Sequence, residues 1–203
     1  MLHKSTVDPA LLRVLEKLMA LPQLQDMRLV GGTALALMLG HRVSVDIDLF
    51  GKVQFDDELL EKIKPIGNVL SVYRSKNINT FIIDDVKVDF VNYRYPWIHG
   101  LVSEQGIQMA SKQDIAAMKF NAIAGRGSKK DFIDLYYLLQ EFSFEEMFSF
   151  YVAKFDDGNP FLVRKSLVYF ANADEQTTPE IFESIGWEAI KKGIIDQFRK
   201  EGY

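Results

Sequence analysis

Asp46 and Asp48 stand one residue apart in the stretch LVGGTALALMLGHRVSVDIDLF, residues 29–50. In an extended strand, residues i and i+2 share a face. The two carboxylates would therefore project together, with Ile47 turned into the core between them. Like charges a few ångströms apart repel each other unless a cation lies between them. Mg²⁺ is a natural guest, because it is hard, prefers oxygen and usually arrives with a phosphate ligand. Gly31 and Gly32 form a turn fourteen residues ahead of the pair. Glycine lets backbone N–H groups come close to phosphate oxygens. The spacing points to a metal–nucleotide site, and a solvated strand end is the plain alternative.

Other residues could join that chemistry. In VKVDFVNY, residues 86–93, Val86, Val88 and Phe90 fall on one face and Lys87, Asp89 and Val91 on the other. Asp89 is then either a further acid on a sheet face or an edge-strand carboxylate paired with Lys87. Thr33, just after the glycines, would begin a helix whose N-terminal amides and dipole favour anions. Ser44 could bond within the loop or to a phosphate, and Arg42 could meet phosphate charge or form a surface ion pair. Lys119 lies among Ala116, Ala117, Met118 and Phe120, an apolar setting for a bystander lysine. Asp131 and Asp134 are three apart on one predicted helix face, where helix-terminus charge compensation is the competing role for Asp131. His3, His41 and His99 are scattered without metal-ligand or triad spacing, so hydrolase readings gain no support.

The elements that must hold these groups follow from the same residues. Asp8 caps and Pro9 opens a predicted helix carrying Leu11, Leu12, Leu15 and Leu18. Met27–Val30 is a short strand, Thr33–Leu39 a helix ending at Gly40, and Val45–Phe50 a second strand. A helix over 56–64 and extended runs over 69–74, 80–83 and 86–93 follow, with Asp84-Asp85 as a hairpin turn. Ser111 and Asp114 start a helix in the manner of a capping box. Beyond them the periodicity is helical, with predicted helices over 111–125, 129–141, 143–154, 160–171 and 187–201.

The segment GGTALALMLGHRVSVDIDLF resembles the first motif of nucleotidyltransferases of the DNA polymerase β superfamily, and specifically of the AbiEii/AbiGii toxin family. VKVDFVNY and DIAAMKFNAIAGRGSKKDFIDLYYLL agree with it in order and spacing, so the resemblance covers roughly residues 27–140. It implies an α+β fold: a polymerase β-like lobe, a mixed sheet flanked by helices, over residues 1–105, then a helical-bundle lobe over 106–203 completing the active-site cleft. It implies transfer of a nucleoside monophosphate from an NTP to an acceptor hydroxyl, with release of pyrophosphate. Asp46 and Asp48 would hold two Mg²⁺ ions, with Asp89 as the third carboxylate and a possible proton acceptor. Gly31, Gly32 and Thr33 would bind phosphate, aided by Arg42 and Ser44. Lys119 would reach the triphosphate, and Asp131 would position Lys119 or a metal-bound water.

Members of that family are toxins of toxin–antitoxin and abortive-infection systems, and some modify tRNA ends. The resemblance therefore implies tRNA or another RNA as acceptor and a cognate antitoxin as partner. Transfer to a small molecule or protein, and a non-catalytic NTP-binding or antitoxin-binding protein, are the alternatives. Composition sets bounds: 203 residues, 48% hydrophobic and 26% charged, describe an ordinary globular chain. A net charge of −4 gives no global drive toward nucleic acid or anionic membrane, so polyanion contacts must be local. Arg126, Lys129, Lys130, Arg164, Lys165, Lys191 and Lys192 are the candidates, with a solvated surface as the plainer reading. The absence of cysteine fits a cytoplasmic protein, and the N-terminal stretch reads as neither signal peptide nor membrane span.

Overall fold

The computed structural model describes residues 1–203, which divide into two compact units. The first comprises Met1–Arg94 and Leu101–Ala110, the second Tyr95–Gly100 and Ser111–Tyr203. The expected division at 105/106 falls in the turn between the strands Val102–Glu104 and Ile107–Met109.

The first unit is a seven-stranded mixed sheet with helices α1 (Pro9–Met19), α2 (Gly31–Leu39) and α3 (Asp57–Ile63). Its strands are β1 (Met27–Leu29), β2 (Asp46–Gly51), β3 (Val69–Arg74), β4 (Ile78–Ile83), β5 (Val86–Asn92), β6 (Val102–Glu104) and β7 (Ile107–Met109), in the order β3-β4-β5-β2-β1-β7-β6. The Asp8 carboxylate accepts from Ala10 N–H at 2.6 Å with Pro9 in the first turn, so α1 starts where capping chemistry requires. Leu11, Leu15 and Leu18 recur on one face of α1 and are fully buried. They help cover a core that includes Met27, Leu29, Ile47, Leu49, Val88 and Phe90.

Strands β2 and β5 show how the alternation works. Ile47 and Leu49 are buried while Asp46 and Asp48 lie on the opposite, partly open face. Val86, Val88 and Phe90 are buried while Lys87 and Asp89 face the other way. β4 and β5 are joined by Asp84-Asp85, both at positive φ (48° and 65°), the backbone of a tight hairpin turn. Aspartate tolerates that region better than most residues.

The helix over 33–39 begins two residues earlier than expected, because both glycines belong to its first turn. The β6–β7 hairpin has no counterpart among the elements expected from the sequence. Three-residue strands carry too few alternations to register as a period-two pattern.

The second unit is helical: α4 (Lys112–Gly125), α5 (Lys129–Leu138), α6 (Phe144–Lys154), α7 (Pro160–Ser166), α8 (Ala171–Asp174) and α9 (Trp187–Lys200). Phe120 of α4 lies against Phe148 and Tyr151 of α6, with ring centroids 4.9 and 6.4 Å away. The expected capping box at Ser111 is half made. The Ser111 hydroxyl accepts from Asp114 N–H at 3.0 Å. The Asp114 carboxylate accepts from the Ser111 hydroxyl at 2.7 Å, and also from Ile98 and His99 N–H and from Lys154 Nζ at 2.7 Å. Both charged side chains of that last pair are fully buried, and Lys154 also donates to the Pro96 carbonyl. The pair fastens residues 95–100 to the helices of this unit.

Candidate active site

On the open face of the sheet, β2 and β5 run parallel and pair Asp46 with Lys87 and Asp48 with Asp89. Residues two apart on each strand point the same way, so these four form the corners of a square on one face. Three corners are carboxylates and one is an ammonium. β5 is an inner strand between β4 and β2, so Asp89 is not an edge residue. It does pair with Lys87, whose Nζ contacts Asp89 Oδ2. The other carboxylate oxygen accepts from the Thr80 hydroxyl at 2.6 Å.

Burial works against the charge of Lys87. The hydrogen bond and charge of Asp89, with the charges of Asp48 and Asp46, outweigh it and hold the ammonium above the ordinary lysine value. A signal for Thr80 lies in the sequence. A two-residue turn at Asp84-Asp85 fixes the hairpin register, and that register sets Thr80 opposite Asp89.

The glycine turn abuts this acidic face. Gly31 has φ +68°, and a Cβ placed on it would stand 2.7 Å from Asp48 Oδ2. No side chain fits there, so the backbone entering α2 comes directly against a carboxylate of the pair. Gly32 is covered by Arg42 in the same way: a Cβ there would lie 2.1 Å from Nη2. Arg42 is buried and also donates to the Val43 carbonyl at 2.9 Å, which is not the setting of a surface ion pair. Thr33 Oγ1 lies 2.8 Å from Ser44 Oγ and contacts the Asp46 carbonyl. Those two hydroxyls tie the first turn of α2 to the start of β2. Val30 N–H donates to the Asp48 carbonyl at 2.9 Å, which locks the glycine turn to the strand bearing the acids.

The three carboxylates offer the all-oxygen donor set that Mg²⁺ takes. They lie on one face at adjacent register positions, which fits the ion's chemistry. They are not drawn into a closed cage, since no three acidic or histidine side chains converge in that way. Asp89 is engaged by Lys87 and Thr80 instead.

Lys119 and Asp131 come together in the second unit. Lys119 Nζ is 3.1 Å from Asp131 Oδ1 and also contacts Asp134 Oδ2, and both carboxylates are fully buried. Arg126 reaches Asp131 with two nitrogens, at 2.8 and 2.9 Å, and the Ser128 hydroxyl donates to it at 2.5 Å. Burial alone would raise the Asp131 pKa. Lys119, Arg126 and Ser128 overcome that and hold it well below the usual carboxylate range. Asp134 thus belongs to the same buried cluster. Arg126 is read as a basic loop residue from its type, and only the fold shows that it grips Asp131.

A family model described as nucleotidyl transferase AbiEii toxin, type IV toxin–antitoxin system, matches residues 13–107 and 85–201. The chain belongs to the AbiEii nucleotidyltransferase family. An Aquifex aeolicus protein, described only as the uncharacterised protein aq_aa25, is 37% identical over 187 residues, spanning 88% of this chain and 89% of its own. Two Helicobacter pylori structures share this fold. One is described as a candidate nucleotidyltransferase (TM-score 0.64, 15% identity, covering 98% of this chain and 92% of that one). The other is JHP933 (TM-score 0.60, 15% identity, covering 98% and 89%). The expected α+β architecture, a mixed sheet flanked by helices together with a helical unit, is the architecture present.

Proposed function

We propose that this AbiEii-family chain transfers a nucleoside monophosphate from an NTP to an acceptor hydroxyl of RNA, with tRNA the favoured acceptor, as the toxin of a toxin–antitoxin pair. The observation carrying the reading is the placement of Asp46, Asp48 and Asp89 on one sheet face, with Gly31 packed against Asp48. In the proposed reaction the acceptor oxygen bonds to the α-phosphorus, the α–β anhydride bond breaks and pyrophosphate leaves. Asp89 is the group assigned to receive the hydroxyl proton. Asp46, Asp48 and Asp89 would hold Mg²⁺, which when bound supplies charge stabilisation for the phosphate oxygens.

The N-terminal amides of α2 at Gly31, Gly32 and Thr33 are assigned to phosphate oxygens, since a helix start favours anions. Arg42 and Ser44 support that loop. Lys119 is assigned a role in the reaction as the family pattern implies, with Asp131 as the residue positioning its ammonium.

The test is incubation of the protein with each α-labelled NTP, Mg²⁺ and total RNA. Label on RNA, lost with Asp48→Asn, is the expected result. Label on a protein or small molecule instead would replace the RNA assignment while keeping the reaction. Nucleotide-dependent thermal stabilisation with no transfer to any acceptor would favour a binding protein.

A further inference from the structure

Lys87 fills the fourth corner of the acidic square, directly opposite Asp46 and two residues before Asp89. Adjacent strands lie roughly 4.8 Å apart. A four-carbon stem can therefore carry its ammonium to any of the three carboxylates. In the structure it rests on Asp89, leaving its side chain 46% exposed and Asp89 18% exposed. A lysine there solves one problem and creates another. It screens carboxylates that would otherwise repel across the pair of strands, and it occupies an oxygen that a divalent cation would need.

We propose that Lys87 is a resident counter-ion of the acidic face, which must release Asp89 before a divalent cation is taken up and so sets the protein's affinity for that cation. The inference rests on the metal-dependent reading given above. Thr80 supports it, because it holds the other Asp89 oxygen and keeps that carboxylate oriented when the ammonium swings away.

Mn²⁺, without nucleotide, is the probe. Calorimetric titration of wild type, Lys87→Met, Lys87→Arg and Asp48→Asn gives the affinities. Lys87→Met is expected to bind Mn²⁺ about fivefold more tightly than wild type, the order of one partly exposed ion pair. Lys87→Arg is expected to stay near wild type, and Asp48→Asn to lose binding. Unchanged or weaker Mn²⁺ binding by Lys87→Met, with wild-type binding that depends on Asp48, overturns the counter-ion role alone. No Asp48-dependent binding in wild type overturns the metal reading and this inference with it.

A second measurement compares folded wild type with Asp48→Asn: acylation of Lys87 by an amine reagent, followed by peptide mass spectrometry. Added Mn²⁺ should raise the Lys87 labelling rate, and should not do so in Asp48→Asn. A rate that is unchanged or falls with metal contradicts release of the ammonium.

Discussion

At Gly31 the backbone and the acidic face meet. Its positive φ and the 2.7 Å from a would-be Cβ to Asp48 Oδ2 leave no room for a side chain. Gly31→Ala combines the left-handed backbone cost with a collision against a carboxylate. The expected loss is about 1–3 kcal/mol of stability, read by urea unfolding. Metal affinity should fall as well, because Asp48 must shift. Asp48→Asn makes the complementary change, since it keeps the shape and removes a charge. Its folded stability should stay at or above wild type, because fewer like charges share the face. Nucleotide transfer should drop by roughly 100-fold or more, the order expected when a phosphate-stabilising group is lost. A variant that unfolds instead would make Asp48 a structural residue.

Within the second unit, α4 and α5 are joined by a charge cluster whose members cannot be removed singly at low cost. Lys119→Met leaves Asp131 and Asp134 buried with one cation fewer. The expected destabilisation is about 3–5 kcal/mol, measured by denaturant titration. Asp131 also makes a pH prediction. Its folded pKa is held below the unfolded value, so its contribution is complete above about pH 4 and declines as the pH falls toward the folded pKa. The stability gap between wild type and Asp131→Asn should therefore be flat from neutral pH to about pH 5 and should narrow below about pH 4. A gap that widens on acidification would reverse the assigned sign.

These elements also show what could and could not be read in advance. Period-two alternation in VKVDFVNY and the D-x-D spacing placed Asp46, Asp48 and Asp89 on partly open faces, because strand geometry alone decides that. Their adjacency required the parallel register of β2 and β5, a long-range pairing that no local pattern encodes. Capping chemistry located the start of α4. The same residue types could not reveal that Asp114, besides bonding the Ser111 hydroxyl, also serves Lys154 and the 95–100 segment. A carboxylate's type marks what it can bond, and the tertiary fold chooses the partner.

For the molecule as a whole, charge bears on the acceptor. No helix is long and apolar enough to cross a membrane, and the net charge is −4. Several cations considered for RNA are already engaged: Arg126 on Asp131, Lys191 on Asp174, Arg164 over the Tyr203 ring, Lys165 over Phe161, and Lys129 over Trp187. RNA affinity should then depend only weakly on salt, with a log–log slope shallower than about −3, corresponding to few phosphate contacts. Filter binding across a salt series measures it, and a steep slope would point to a basic surface these contacts do not reveal. The reaction itself is tested most directly by supplying one NTP labelled at the α-phosphate and, separately, at the γ-phosphate, with Mg²⁺ and RNA. Nucleotidyl transfer predicts α-label on the RNA, γ-label released in pyrophosphate, and neither event in Asp48→Asn. Label from the γ-phosphate on the RNA, or α-label transfer undiminished in Asp48→Asn, would contradict nucleotidyl transfer at this acidic face.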